Sequence, residues 1–209
     1  MLDWLIIGGG IHGTYLSLYL TQRKAVAPGQ IRVLDPQPEA LTLWKQFTTN
    51  CGLEFMRSSH AHNLHFDPFS LVTFARTQAG QPLARFIEPY GRPSLELFNA
   101  HSERLITRYK LPELRLTGRA QGLRRLTDGW RIEIDQGSLE ARHVSLAFGS
   151  TEQPRWPLWA REIQRSLVEQ NAPPLYATER GRGGEEQAGA SIYHLFDTTF
   201  NRQQVADCA

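Results

Sequence analysis

Apolar residues fall along this chain in two rhythms. Trp4-Leu5-Ile6-Ile7 is a continuous apolar run closed by glycine. A run without alternation suits a strand buried on both faces, as in a parallel sheet. After Gly8-Gly9-Gly10-Ile11-His12-Gly13 the rhythm changes: Tyr15, Leu16, Leu18, Tyr19 and Leu20 recur at helical spacing, which predicts a helix over 14–23. Pro28-Gly29 marks a turn, and Ile31 to Asp35 reads as a second strand ending in a carboxylate. Strand, turn, helix and strand in about thirty residues is the size of a βαβ unit.

The middle of the chain is less regular. Leu41 to Phe47 reads as a short helix, 51–67 as loop, Pro68 to Thr77 as a helix and Pro82 to Pro93 as turn-rich loop. Ser94 to Tyr109 carries Leu95, Leu97, Phe98, Leu105 and Ile106 at helical spacing, with Ser94 placed to cap the start. Strand-like patterns follow. Leu114 to Gln121 reads as one strand, and the Asp128-Gly129 turn joins 122–126 to the alternating run Trp130 to Ile134 as a hairpin. Gln136-Gly137-Ser138 supplies a turn before Val144 to Gly149, an apolar strand. Order weakens after Pro154, and the glycine-rich, charged stretch Glu179 to Gly189 reads as a flexible linker. The expected fold is α/β, a Rossmann-like domain with a central parallel sheet, helices and a small β-meander.

Composition narrows the function. A 209-residue chain with 41% hydrophobic residues can bury a core. The formal charge of +2 comes from 23 Lys+Arg against 21 Asp+Glu, a near balance with no basic stripe, so nucleic acid is a poor candidate partner. Cys51 and Cys208 form no CxxC, which excludes a disulfide scaffold and a sequence-local redox dithiol. The longest apolar stretch is too short to span a bilayer, and the N-terminus lacks the basic flank and long apolar segment of a signal peptide. The expected location is the cytoplasm, with no membrane partner.

The candidate chemistry lies in the glycine loop. Gly8, Gly10 and Gly13 form GxGxxG between a buried strand and a helix. In that context Gly8 permits a tight turn, Gly10 lets backbone approach a pyrophosphate, and Gly13 lets helix pack on strand. The pyrophosphate would rest on the amides at the helix start. Asp35, 22 residues beyond Gly13, is placed to accept hydrogen bonds from an adenosine ribose. An acid there disfavours a 2′-phosphate. The competing reading is a glycine-rich turn with a coincidental Asp. Other candidates are weaker. His60, His62 and His65 form H-x-H-x-x-H, but with no nearby acid or Cys to complete a tight set the better reading is a polar loop, and no metal is expected. His12 either faces the pyrophosphate or fills a helix start. Arg57 either meets a ligand or is a solvated cation. Cys51 either approaches the ligand or is a small buried residue.

Residues Asp3 to Thr14, DWLIIGGGIHGT, resemble the opening of two-dinucleotide-binding-domain flavoproteins, the FAD/NAD(P)-binding group that includes flavin monooxygenase-like and N-hydroxylating enzymes. Leu146-Ala147-Phe148-Gly149 is similar to that family's short strand ending Ala-Thr-Gly, with Phe148 in place of Thr, and Pro154, Trp156 and Pro157 resemble its proline-rich exit. Met56-Arg57-Ser58-Ser59, followed by Asp67-Pro68-Phe69-Ser70-Leu71, resembles its flavin-side loop and helix. Pro89 to Ser94 and the Gly129-Trp130 hairpin also fit the family pattern.

The resemblance spans about 3–160. It implies FAD as cofactor, held by Gly8, Gly9, Gly10, Ile11, His12, Gly13 and Asp35, with Arg57 and Gly149 on the flavin side, and NAD(P)H as co-substrate of a full-length relative. It also implies a second GxGxxG, and none follows Gly149: the cluster at Gly181, Gly183 and Gly184 has no preceding apolar strand. The expected organisation is therefore an FAD-binding domain over 1–160, with 161–209 as linker and start of a missing or degenerate second nucleotide domain. No side chain stands out as acid, base or nucleophile, so no catalytic residue is named and the substrate is unknown; a homodimer stays open. The leading reading is the FAD-binding module of an NAD(P)H-dependent, monooxygenase-like oxidoreductase. Rivals are a non-catalytic or partner-dependent dinucleotide-binding remnant, and a small NAD-dependent dehydrogenase. The absence of Tyr-x-x-x-Lys argues against a short-chain dehydrogenase.

Overall fold

The computed structural model describes residues 1–149 and 157–169. Residues 1–48 and 52–149 make one compact unit, which carries the glycine loop; helix α5 (Leu158–Glu169) belongs to a second. The expected proline-rich exit lies largely, and the Glu179 to Gly189 linker wholly, outside the described residues.

Strand β1 (Leu2–Ile7) sits inside the main sheet, parallel to β2 (Ile31–Asp35) on one side and to β8 (Gly137–Leu146) on the other. That central place explains its unbroken apolar run. Successive side chains point to opposite faces, and both faces are covered. Ile6 and Val33 join Leu18 and Leu20 of helix α1 (Ile11–Arg23), while Leu5 and Leu34 join Ile132 and Ala141. Helix α1 buries Gly13, Thr14, Ser17, Leu18 and Leu20, so its first turns meet the sheet through small residues.

The six-stranded sheet has the order β5-β2-β1-β8-β7-β6, with β5 (Arg115–Thr117) parallel to β2. Strands β6 (Ala120–Leu126), β7 (Gly129–Ile134) and β8 run antiparallel as the expected meander. Two sequence expectations need correction here. Leu114 to Gln121 is not one strand: a 3-10 turn (Leu111–Leu114) leads into β5, and after Gly118-Arg119 the chain starts β6 at the opposite edge of the sheet. The meander therefore folds back over one face of the parallel strands, and Ile132 and Ala141 cover Leu5 and Leu34 there. Nor does a turn at 136–138 lead to a separate strand starting at Val144. β8 is one ten-residue strand that pairs with β7 from Gly137 to Ala141 and with β1 from Ala141 to Leu146. Ala141, wholly buried, is the residue shared by both ladders.

A second cluster lies against this core. Helix α2 (Thr42–Asn50) forms as expected but starts one residue later and ends three residues later. Helix α3 is shorter than its pattern (Ser70–Ala75), and α4 spans Leu95–Arg108. Leu71, Phe74 and Ala75 of α3 pack with Leu97 and Phe98 of α4 and with Met56. Ser94 caps α4 as predicted, its Oγ accepting from the Leu97 amide at 3.3 Å. Glu96 in the first turn and Arg108 in the last suit the helix dipole. The 82–93 segment, expected as loop, includes a two-residue pairing of β3 (Phe86–Ile87) with β4 (Arg92–Pro93).

Candidate dinucleotide site

The glycine loop is the crossing from β1 to α1, and each glycine in it meets a different constraint. Gly8 has φ +108, a left-handed conformation that favours glycine. A Cβ on Gly8 would also overlap the carbonyl of Ala147, because Ala147-Phe148 runs directly over it. A Cβ on Gly13 would overlap the Gly8 carbonyl, so α1 can start this close to β1 only without a side chain there. Gly10 is the opposite case: its Cβ direction opens onto empty space, with nothing within 4 Å. Gly10 is the N-cap of α1 and carries no side-chain cap, and the first intrahelical bond is Thr14 N–H to Gly10 C=O at 2.9 Å. The amides of Ile11, His12 and Gly13 thus belong to the first turn, which has no intrahelical acceptors. Uncapped amides beside open space on a backbone without side chain form a cradle for an anion.

The loop is fixed from several sides. The Gly8 amide donates to Leu34 C=O at 2.8 Å, and Gly9 C=O accepts from the Leu41 amide and the Thr14 hydroxyl, each at 3.2 Å. Asp35 ties β2 to the same loop. Its Oδ2 accepts the Gly9 amide at 2.5 Å and its Oδ1 the Gln37 amide at 2.8 Å.

Sequence reasoning missed the partner of Asp35. Arg115 Nη2 lies 3.5 Å from Asp35 Oδ1, and the two side chains are only 9% and 14% exposed. Arg115 also donates through Nε to Pro38 C=O at 3.0 Å and through Nη2 to Gln37 C=O at 2.7 Å. Burial pulls the guanidinium below its usual pKa, and the Asp35 carboxylate acts the other way. The guanidinium lies over Gly9, where a Cβ would collide with it, which accounts for glycine at a variable place of GxGxxG. The signal was present in β5: Arg115 pairs with Val33, and Asp35 follows two residues later on the same face. It becomes readable only once β5 is known to lie beside β2.

The remaining candidates fall in different surroundings. His12 is exposed and Ile11 half-buried. Arg57 is exposed, on a loop whose Met56 packs in the same cluster as Ile11. Gly149 has φ +67 and is exposed just past the segment that covers Gly8. Cys51 is exposed, so its reading as a small buried residue is corrected; its short thiol lies at the surface beside Gly52. The three loop histidines take separate roles. His60 Nδ1 is 3.3 Å from Gly91 C=O, His65 Nε2 is 3.3 Å from the Tyr109 hydroxyl, and His62 is exposed. Among the described residues no three His, Cys, Asp or Glu side chains gather as a metal site, and no helix is long and apolar enough to cross a membrane.

A family model described as FAD-NAD(P)-binding matches residues 5–151. No curated protein matches the chain. Among solved structures, OTEMO in complex with FAD and NADP matches 75% of this chain at 17% identity and a TM-score of 0.53, covering 27% of its own length. A cyclohexanone monooxygenase mutant from Rhodococcus sp. Phi1 bound to NADP+ matches 75% of this chain at 15% identity, with a TM-score of 0.52 and 28% of its length covered. An ε-caprolactone-bound cyclohexanone monooxygenase gives 15% identity, the same two coverages and a TM-score of 0.51. The chain thus spans little more than a quarter of these proteins, and at such identity the likeness is one of fold.

Proposed function

The chain belongs to the FAD-NAD(P)-binding family, and from that premise we propose that residues 1–160 are the FAD-binding module of an NAD(P)H-dependent, monooxygenase-like oxidoreductase. The observation that carries the proposal is the open cradle at Gly10, beside the first-turn amides of α1. Ile11, His12 and Gly13 would donate their amides to the pyrophosphate, and the helix dipole adds to the attraction. Gly10 would let the phosphates reach that backbone. Asp35 keeps acceptor capacity for the adenosine ribose: a carboxylate offers about four lone-pair sites, and the Gly9 and Gln37 amides take up two of them, with Arg115 beside it as an ion-pair partner. Arg57 and Gly149 are assigned to the flavin side. FAD, when bound, supplies reversible two-electron redox chemistry, and NAD(P)H is its proposed reductant. The chain's own residues bind and orient the cofactor.

The test is equilibrium titration of the 209-residue chain with FAD, FMN and riboflavin, followed by flavin fluorescence. FAD should bind, and FMN, which lacks the AMP half of FAD, and riboflavin, which lacks the whole adenosine diphosphate, should bind at least about tenfold more weakly, a gap of about 1.4 kcal/mol. Equal affinity for FAD and FMN would move the site away from the glycine loop.

A further inference from the structure

We infer that Arg115 is a specificity-determining residue at the adenosine end of the site, and that by neutralising Asp35 it lets the chain take a 2′-phosphorylated adenosine as well as a plain one. The inference rests on the reading of the glycine loop as a dinucleotide site. A bare carboxylate at the end of β2 would repel a phosphate on the ribose, since like charges brought together disfavour that ligand. Here the carboxylate is not bare. Asp35 and Arg115 form a buried pair 3.5 Å apart, so their formal charges cancel at that place.

The direction of the guanidinium adds a second argument. Arg115 spends Nε on Pro38 C=O and Nη2 on Gln37 C=O, and Nη2 also faces Asp35 as its ion-pair partner. Its Nη1, with two of the five guanidinium donors, makes no hydrogen bond among the described residues, and it is the nitrogen lying closest over Gly9. Donors of a cation therefore remain available next to the glycine loop, on the side where β2 ends. An anionic oxygen arriving at the ribose end meets these donors along with the carboxylate. The backbone carbonyls of Gln37 and Pro38 hold the guanidinium in place, so it need not be ordered by the ligand.

The experiment uses ADP-ribose and 2′-phospho-ADP-ribose as probes, because they isolate the adenosine end and carry no redox ring. Each is titrated calorimetrically into the 209-residue chain freed of bound nucleotide, at fixed salt. The wild-type chain should bind the two within about fivefold of each other. Arg115→Met should weaken the 2′-phosphate probe at least about tenfold more than ADP-ribose, and Arg115→Lys should restore most of that ratio. Arg115→Met combined with Asp35→Asn removes both charges. It should bring the ratio back toward wild type, which a purely structural role for Arg115 would not do. Circular dichroism checks that each variant is folded, and Arg115→Lys keeps the test usable if Arg115→Met is not. A wild-type preference for ADP-ribose above about a hundredfold, or equal weakening of both probes in every Arg115 variant, overturns the inference alone. Binding of neither probe by the folded wild-type chain overturns the dinucleotide site as well.

Discussion

At the scale of single residues, glycines in one loop should respond to substitution in opposite ways. Gly10→Val places a side chain in open space, so the fold should hold while FAD affinity falls by at least about a hundredfold, or about 2.8 kcal/mol. Gly13→Val drives a side chain into the Gly8 carbonyl; overpacking of this kind should cost about 3 kcal/mol of stability, read by urea unfolding. Equal unfolding midpoints for the two variants would contradict the assignment of space to one and contact to the other. Asp35→Ala has a double effect. It removes the acceptor of the Gly9 amide and leaves Arg115 as a buried cation without its carboxylate, and breaking a buried pair costs about 3–5 kcal/mol. That loss should appear in the unfolding free energy with no ligand present. The glycine spacing was readable in the sequence because each role depends on local backbone geometry. Arg115 was not, because its meeting with Asp35 spans eighty residues and depends on which strands are neighbours.

At the scale of elements, long periodic segments were read well and edges poorly. The α4 pattern was clear because buried Leu97, Phe98, His101, Ser102 and Leu105 follow one helical face. Its cap is a testable part of that reading. Ser94 is fully buried, accepts from the Leu97 amide and donates to Leu83 C=O at 2.8 Å. Ser94→Ala should therefore lower stability by about 1–2 kcal/mol, at the upper end for a lost cap; no change in the unfolding midpoint would show that water replaces both bonds. The run from Leu114 to Gln121 misled because strand propensity does not say which edge a strand joins. Gly118 and Arg119 separate two short strands whose partners lie at opposite ends of the sheet. β8 misled in the other way. The stretch Ser138 to His143, apolar only at Leu139 and Ala141, covers the change of partner from β7 to β1, and alternation alone cannot mark a strand that changes partners halfway.

At the scale of the whole molecule, His101 links stability to pH. It is buried on α4 with Nε2 2.9 Å from the Ser70 hydroxyl, and Nδ1 has no partner among the described residues. Burial, then His65 and Arg104, push its pKa down from 6.5 to about 4. The unfolded chain therefore takes up a proton that the folded chain refuses between those values. Stability from neutral His101 is present above pH 6.5 and is lost as pH falls toward 4. Between pH 7 and pH 5 the loss should be about 2 kcal/mol, and His101→Gln should flatten that part of the urea-unfolding profile; an equal slope in the variant would assign the acid sensitivity to other groups. The proposed dinucleotide site, in contrast, is confined to one end of the parallel strands, where the glycine loop, Asp35 and Arg115 converge. The most direct measurement is an amide NMR titration of the 209-residue chain with FAD. The largest shifts should fall on Ile11, His12 and Gly13, with Gly9, Asp35 and Gln37 next, and Gly10→Val should abolish them. Shifts centred instead on the open groove lined by Phe74, Ala100 and Arg104, with the glycine-loop amides unmoved, would contradict it.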